Sequence, residues 1–214
     1  MMSILLPARR LVYCVLALLA ASCAHAPEAG VPAPEGPGGE FNMLGVADAP
    51  VAIIEFTDLQ CPFCAHFAMY TFPRLKEAYI DRGKVLYVSR DLPLANHVYA
   101  VAAAVAVRCA GEQGRYWEFR HAVFAAQERL PTEPYAEFAR ELGLDLERFA
   151  ACRADGRQLR AVREDRALAA SRGLNTTPSF AIGRLVGDGF MGETIAGEKS
   201  FDFFASKIDA LLRQ

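Results

Sequence analysis

The sequence predicts an α/β fold: one mixed sheet with flanking helices, interrupted by an inserted all-helical subdomain. Three observations predict it. Val51–Thr57 (VAIIEFT) is an apolar-rich run of strand length, and residues 84–90 (KVLYVSR) form a second after an Asp81-Arg82-Gly83 turn. From about residue 94 to residue 173 only helical periodicity is found, punctuated by glycines. Strand character then returns at residues 178–182, and a helix closes the chain. Strands on either side of the helical stretch can share one sheet, with helices covering its faces.

The N-terminus reads as a targeting segment. Residues 1–23 carry Arg9 and Arg10, then an apolar run over residues 11–21 that is too short to span a bilayer and suits a signal peptide. Two cleavage sites compete. Ala24-His25-Ala26 has the small-x-small pattern, but Pro27 follows it. Leu19-Ala20-Ala21-Ser22-Cys23 resembles a bacterial lipobox and makes Cys23 the expected lipidation site, with a soluble secreted form as the alternative. Residues 24–40 contain four prolines and four glycines and read as a tether. The chain is thus expected to be exported to the periplasm or cell envelope and anchored through Cys23.

Residues 41–214 are expected to form one domain. With 53% apolar and 10% aromatic side chains overall, the chain can build a substantial core. Its net charge of −2 becomes more negative once Arg9 and Arg10 leave with the signal, and no basic face is clustered, which argues against a nucleic-acid partner.

The elements follow in order. After the first strand, residues 62–80 read as a helix in which Pro73 should kink or break the chain at Phe72. The helical insert, at about residues 94–173, divides into segments 94–110, 114–127, 132–142, 145–152 and 156–172, with Asp145 as a candidate N-cap. The returning strand covers residues 178–182, and Gly183 reads as a turn before another strand from Arg184. Residues 200–213 place Phe201, Phe204, Ile208 and Leu211 at helical spacing.

The chemistry-bearing stretch is Cys61-Pro62-Phe63-Cys64, where the first strand empties into a helix. A sulfur at a helix N-terminus meets unpaired backbone N–H groups and the helix dipole, which favour a thiolate. Pro62 falls at the first helical position, where its missing N–H costs nothing. Two intervening residues place the second sulfur about one turn on, close enough to bridge. An exposed Cys61 thiolate would attack a partner's disulfide and the buried Cys64 would resolve the mixed disulfide. A Cys/Cys/His metal site with His66 is the competing reading, although no second cysteine pair completes a zinc set. Cys109 and Cys152 are an even remainder in a chain that looks exported, so a structural disulfide is expected. It would close a loop of about 44 residues, worth roughly 4 kcal/mol in the chain-entropy model. Two buried free thiols are the alternative.

Four stretches in order, Glu55-Phe-Thr-Asp-Leu-Gln-Cys-Pro-Phe-Cys, Arg90-Asp-Leu-Pro-Leu, Gly114-Arg-Tyr-Trp-Glu-Phe and Thr176-Thr-Pro-Ser-Phe-Ala-Ile-Gly, resemble the DsbA-type thiol:disulfide oxidoreductases. The resemblance runs from about Val51 to the C-terminus. It implies a thioredoxin-like sheet with an inserted helical domain, Cys61 as nucleophile, Cys64 as resolving thiol, and a second cysteine pair at Cys109 and Cys152. It implies that Thr177-Pro178 is a cis-proline segment opposite the cysteine pair, leaving an open strand edge where Thr177's backbone binds an extended substrate beside Pro62 and Phe63. An ordinary trans proline is the alternative.

It also implies that Glu55 is a buried acid beneath the disulfide. Burial there disfavours the charged form, and Glu55 could then take the Cys64 proton and return it; a solvent-facing strand carboxylate is the alternative. Strongly oxidising members carry His where this chain has Phe63, which cannot stabilise a thiolate by charge, so a milder oxidant is expected. The resemblance implies no cofactor beyond the Cys61–Cys64 pair, cysteine-containing protein substrates, and a redox partner, membrane-bound, that resets the pair. Disulfide formation is the favoured direction, with reductase or isomerase action as the alternative. A monomer is expected.

Overall fold

The computed structural model describes residues 31–32, 40–186 and 189–213. The signal segment with Cys23, and the tether apart from Val31 and Pro32, lie outside the described residues. One mixed sheet organises the molecule. Its strands are β1 (Val31–Pro32), β2 (Met43–Leu44), β3 (Val51–Thr57), β4 (Val85–Asp91), β5 (Ser179–Val186) and β6 (Gly189–Ala196), in the spatial order β1-β6-β5-β3-β4-β2. Only β3 and β4 run parallel; every other neighbouring pair is antiparallel. The parallel pair is joined over the helical stretch 62–80, as a parallel crossover requires. Every residue of β3 and of β4 is buried, which accounts for their near-continuous apolar sequences.

The alternation along β3 splits the core. Val51 and Ile53 face a cluster with Phe67, Leu75, Phe180, Phe204 and Ile208. Ala52, Ile54 and Phe56 face the opposite layer, with Val88, Ala169 and Phe190. Phe67 sets the angle of the first helix, with its ring centroid 4.7 Å from that of Phe180 and 5.7 Å from that of Phe204.

Between β4 and β5 the chain is helical: α3 (Ala100–Gly111), α4 (Tyr116–Ala125), a 3-10 segment Gln127–Thr132, α5 (Tyr135–Glu141), α6 (Leu146–Ala154) and α7 (Arg157–Ser171). Asp145 caps α6 by accepting a hydrogen bond from the Arg148 N–H at 3.0 Å. The last helix, α8 (Phe201–Leu212), is capped by Ser200. Cys109 of α3 and Cys152 of α6 are joined, with an S–S distance of 2.05 Å.

Four sequence expectations need correction. Of the kink or break expected at Pro73, the break does not occur. The stretch runs as α1 (Pro62–His66), a π turn Phe67–Thr71, α2 (Phe72–Leu75) and a second π turn Lys76–Ile80. The wider turns, in which the Phe72 N–H reaches back to the Phe67 carbonyl, absorb the proline without ending the helix. Gly183 is not a turn. It lies inside β5 opposite Gly192, and a Cβ on it would sit 2.0 Å from the Met191 carbonyl oxygen. Glycine there marks close backbone approach. The helix expected from residue 94 starts only at Ala100; before it the chain makes two tight turns, closed by the His97 N–H on the Leu94 carbonyl (3.0 Å) and the Ala100 N–H on the His97 carbonyl (3.1 Å). Within the expected tether, Val31 and Pro32 pair with Phe190 and Gly189 at the sheet edge.

Candidate active site

Cys61 is the N-cap of α1, with extended backbone angles (φ −75°, ψ 123°), and Pro62 opens the helix. Its position is fixed from three sides. The Asp58 carbonyl accepts the Cys61 N–H at 3.0 Å. The Gln127 side-chain amide, arriving from the 3-10 segment, donates to the carbonyls of Leu59 (2.8 Å) and Cys61 (3.1 Å). The Cys61 thiol donates to the Thr177 carbonyl at 3.4 Å. The Thr177–Pro178 peptide bond is cis, and the Pro178 carbonyl is held by the Gly197 N–H at 2.8 Å.

Cys61 is not the open sulfur that the sequence suggests. The residue is 4% exposed because Thr177 and the Leu59 turn close around it, whereas Phe63 beside it is 62% exposed and Cys64 is fully buried. The Asp58 N–H donates to the Cys64 sulfur at 3.4 Å.

Both cysteines are free thiols, and their acidities are pushed apart. Cys61 is lowered to about 6, first by the hydrogen bond from the Cys64 thiol. Burial works the other way; the side chain of Thr177, as distinct from its carbonyl, and the first-turn N–H groups of Cys64 and Phe63 add to the lowering. Phe63 thus contributes through its backbone. Cys64 is raised well above the ordinary thiol value by burial, by Cys61 and by the charge of Glu55. The pair can therefore present one thiolate while keeping the other sulfur protonated near neutral pH.

Glu55 is fully buried, but not alone. Its Oε2 accepts from the Tyr87 hydroxyl at 2.7 Å and from Arg120 Nη2 at 2.5 Å, while its Oε1 has no hydrogen-bond partner. Burial by itself therefore misdescribes its surroundings. His66 does not join the cysteines: its Nδ1 contacts Glu198, its ring lies 4.7 Å from that of Tyr70, and its side chain is 58% exposed. Among the described residues no group of three or more His, Cys, Asp or Glu side chains could hold a metal ion.

Sequence reasoning missed several polar residues that build this site. Asp58 accepts from the Gln60 N–H (2.7 Å), the Leu94 N–H (2.7 Å) and His97 Nδ1 (2.8 Å), and Gln60 accepts from the Tyr99 N–H (2.8 Å). At the end of β4, Arg90 donates to Asp165 (2.8 Å) and Arg108 Nε to Asp91 (2.5 Å), while Arg108 Nη2 also contacts Asp165. These four charges balance and are all buried, tying the sheet to α3 and α7. Arg120 and Asp165 could have been found from pattern alone. Each sits on the apolar stripe of its helix, Arg120 with Tyr116, Val123 and Phe124, and Asp165 with Ala161, Val162 and Ala169. A charge on such a stripe implies a buried partner.

Comparison with known proteins gives the same assignment. A sequence profile for the family described as Thioredoxin matches residues 39–196. The chain is 34% identical over 142 residues to the Na(+)/H(+) antiporter NhaA 3 of Salinispora tropica. The match covers 66% of this chain but only 21% of that protein, so the chain spans about a fifth of such relatives. Among the described residues no helix is long and apolar enough to cross a membrane. The fold superposes on the crystal structure of Wolbachia pipientis alpha-DsbA1 with a TM-score of 0.71 and 29% identity, covering 79% of this chain and 89% of that one. Pseudomonas aeruginosa DsbA2 gives 0.63 and 28%, over 80% and 93% of the two chains. The thioredoxin-like sheet with its helical insertion, and the free cysteine pair at the start of its first helix, make this chain a member of the thioredoxin family and, within it, a DsbA-like thiol:disulfide oxidoreductase.

Proposed function

We propose that this oxidoreductase is exported and forms disulfides in cysteine-containing proteins of the cell envelope through Cys61 and Cys64. The observation that carries the reading is the split acidity of the pair: Cys61 lowered to about 6 and Cys64 raised. A stabilised Cys61 thiolate is a good leaving group and favours the reduced enzyme, which is what an oxidant requires.

In the oxidised enzyme a substrate thiolate attacks the Cys61 sulfur. The Cys61–Cys64 bond breaks, a Cys61–substrate bond forms, and Cys64 leaves and takes a proton. A second substrate thiolate then attacks the first substrate sulfur. The substrate disulfide forms, the Cys61 thiolate departs, and the substrate has lost two electrons to the enzyme. Thr177, facing the Cys61 sulfur, is suited to hold an extended substrate backbone, and the exposed Pro62 and Phe63 flank that position. Glu55, with its open Oε1, is the proton acceptor and donor for Cys64. A membrane-bound redox partner reoxidises the pair, no bound cofactor takes part, and the protein acts as a monomer tethered through Cys23. The Cys109–Cys152 bridge is structural, because it staples α3 to α6 within the insert core.

The test is a glutathione titration of the pair combined with refolding of a reduced, unfolded ribonuclease. A potential towards roughly −120 mV with refolding activity that Cys61→Ser abolishes supports the reading. A potential near roughly −270 mV with disulfide reduction only would reverse the direction. Tight, stoichiometric Cu(I) or Zn(II) binding without exchange activity would replace the reading with metal handling.

A further inference from the structure

Arg120 is a buried charge of this site whose chemistry the exchange steps above leave unused. It comes from α4, in the helical insertion, and reaches a carboxylate on the central strand of the sheet. It is fully enclosed: its guanidinium carbon lies 4.8 Å from the Phe124 ring centroid, 5.5 Å from that of Trp117 and 5.6 Å from that of Phe72. An arginine held against three aromatic faces has few rotamers left, so its direction is set before any substrate arrives. Its charge is secure. Burial alone would depress the guanidinium, but Glu55, Tyr87, Tyr116 and Cys64 outweigh this and raise it. Tyr87 likewise stays a donor, since burial and Glu55 push its hydroxyl well above the ordinary range.

The two donors do not share the carboxylate evenly. Arg120 Nη2 and the Tyr87 hydroxyl both meet Glu55 Oε2, and neither meets Oε1, which is buried without a partner. A buried carboxylate oxygen left open is costly unless it is used. The group in its field that must gain and lose a proton is Cys64, whose acidity Glu55 directly perturbs. Arg120 in turn feels the charge of Cys64.

We propose that Arg120 is a positioning residue for the exchange reaction: with Tyr87 it occupies Oε2 of Glu55, supplies the countercharge for a carboxylate cut off from water, and so reserves Oε1 for the Cys64 proton. The helical insertion thereby contributes a working charge to the redox centre as well as covering it. This rests on the assignment of Cys61, Cys64 and Glu55 made above. In the resolving direction the Cys64 proton passes to Glu55 Oε1. The Cys64 sulfur bonds to Cys61, the Cys61–substrate bond breaks, and the substrate sulfur leaves as a thiolate. Without Arg120, Glu55 would be an uncompensated buried charge held by Tyr87 alone, and its carboxylate would no longer be fixed with Oε1 free.

The experiment loads Cys61 with glutathione as a mixed disulfide and follows glutathione release by Cys64 across pH 5–9. It uses the wild type, Glu55→Gln, Arg120→Gln, Arg120→Lys and the Glu55→Gln/Arg120→Gln double variant. The expected result is a loss of about tenfold or more at pH 7 in Arg120→Gln, with the rate becoming steeply dependent on hydroxide. Arg120→Lys should recover the rate to within about threefold. The double variant should be no slower than Glu55→Gln, because Arg120 acts through Glu55.

An unchanged rate in Arg120→Gln overturns the proposal, as does a double variant much slower than Glu55→Gln. Should Arg120→Gln fail to fold, the double variant decides, since it carries neither buried charge. If Cys61→Ser leaves disulfide formation intact, the function assigned above fails. If Cys61→Ser abolishes it while the Arg120 series is flat, only the positioning role fails.

Discussion

Alkylating the reduced protein with iodoacetamide at a series of pH values reads the acidity of Cys61 directly, because the thiolate is the reacting form. The structure places the midpoint at about 6, against 9.0 for an ordinary thiol. At pH 7 about nine-tenths of Cys61 is then thiolate, against about one per cent for the unperturbed group. Cys64 stays silent across this range, because burial, Cys61 and Glu55 hold its proton. The same shift makes stability depend on pH in the reduced protein only, since the disulfide form has neither thiol to titrate. Between about 6 and 9 the unfolded chain binds the Cys61 proton and the folded chain does not, so stability rises with pH in that window and is lost as pH falls through about 6. One pH unit separates neutrality from the folded midpoint. The gain at pH 7 is therefore on the order of 1 kcal/mol, a few tens of millivolts in favour of the reduced enzyme. Above about 9 the raised Cys64 reverses the trend, because the unfolded chain then releases a proton that the folded one keeps. An alkylation midpoint at pH 8 or higher, or equal pH dependence of stability in reduced and oxidised protein, would refute this account of how the first turn and Thr177 act on the sulfur.

Four further outcomes are expected. Asp165→Asn should cost about 3–5 kcal/mol in urea denaturation, because it strands Arg90 and leaves two buried arginines against the single charge of Asp91; a loss under about 1 kcal/mol would mean that the network is not an electrostatic clasp. The Cys109→Ala/Cys152→Ala double variant should lose roughly 4 kcal/mol in the same assay while keeping the alkylation profile of Cys61. Gly183→Ala should destabilise by more than about 2 kcal/mol, since the added carbon meets the Met191 carbonyl at 2.0 Å; wild-type denaturation would show that β5 and β6 separate at little cost. Phe63→Ser should leave stability within about 0.5 kcal/mol and raise the KM for a reduced, unfolded protein several-fold, with an unchanged KM removing Phe63 from the substrate surface.

The sheet and the helical insertion were legible because each depends on periodicity, which is local. Val51–Thr57 and Val85–Asp91 sit in the sheet's interior, buried on both faces, so continuous apolar runs announced them. The cysteine pair announced itself by spacing. Punctuation residues misled where tertiary contacts set their meaning. Gly183 serves the close approach of two strands, and Pro73 is absorbed by wider helical turns. The polar scaffold was hidden for a different reason. Asp58, Gln127 and Arg120 act across 36, 66 and 65 residues respectively, and neither the partner nor the geometry is written near them in the chain. Only the misplacement of a charge on an apolar stripe betrayed Arg120 and Asp165.

Those long-range ties bear on why a helical insertion accompanies the redox pair. The turn before Cys61 has no sheet partner, so its backbone polar groups must be satisfied by something else. Asp58 and Gln60 are fastened to Leu94, His97 and Tyr99 on the chain leading into α3, and Gln127 fastens the Leu59 and Cys61 carbonyls. Arg120 fastens the carboxylate of Glu55, on the strand that leads into the turn. All these partners lie between β4 and β5, and the buried quartet of Arg90, Asp91, Arg108 and Asp165 locks that region back onto β4. The two sulfurs must alternate between joined and separate while the nucleophile keeps its place opposite Thr177. A turn pinned at four points lets the sulfurs change partners by side-chain movement, with the backbone that orients them left in place.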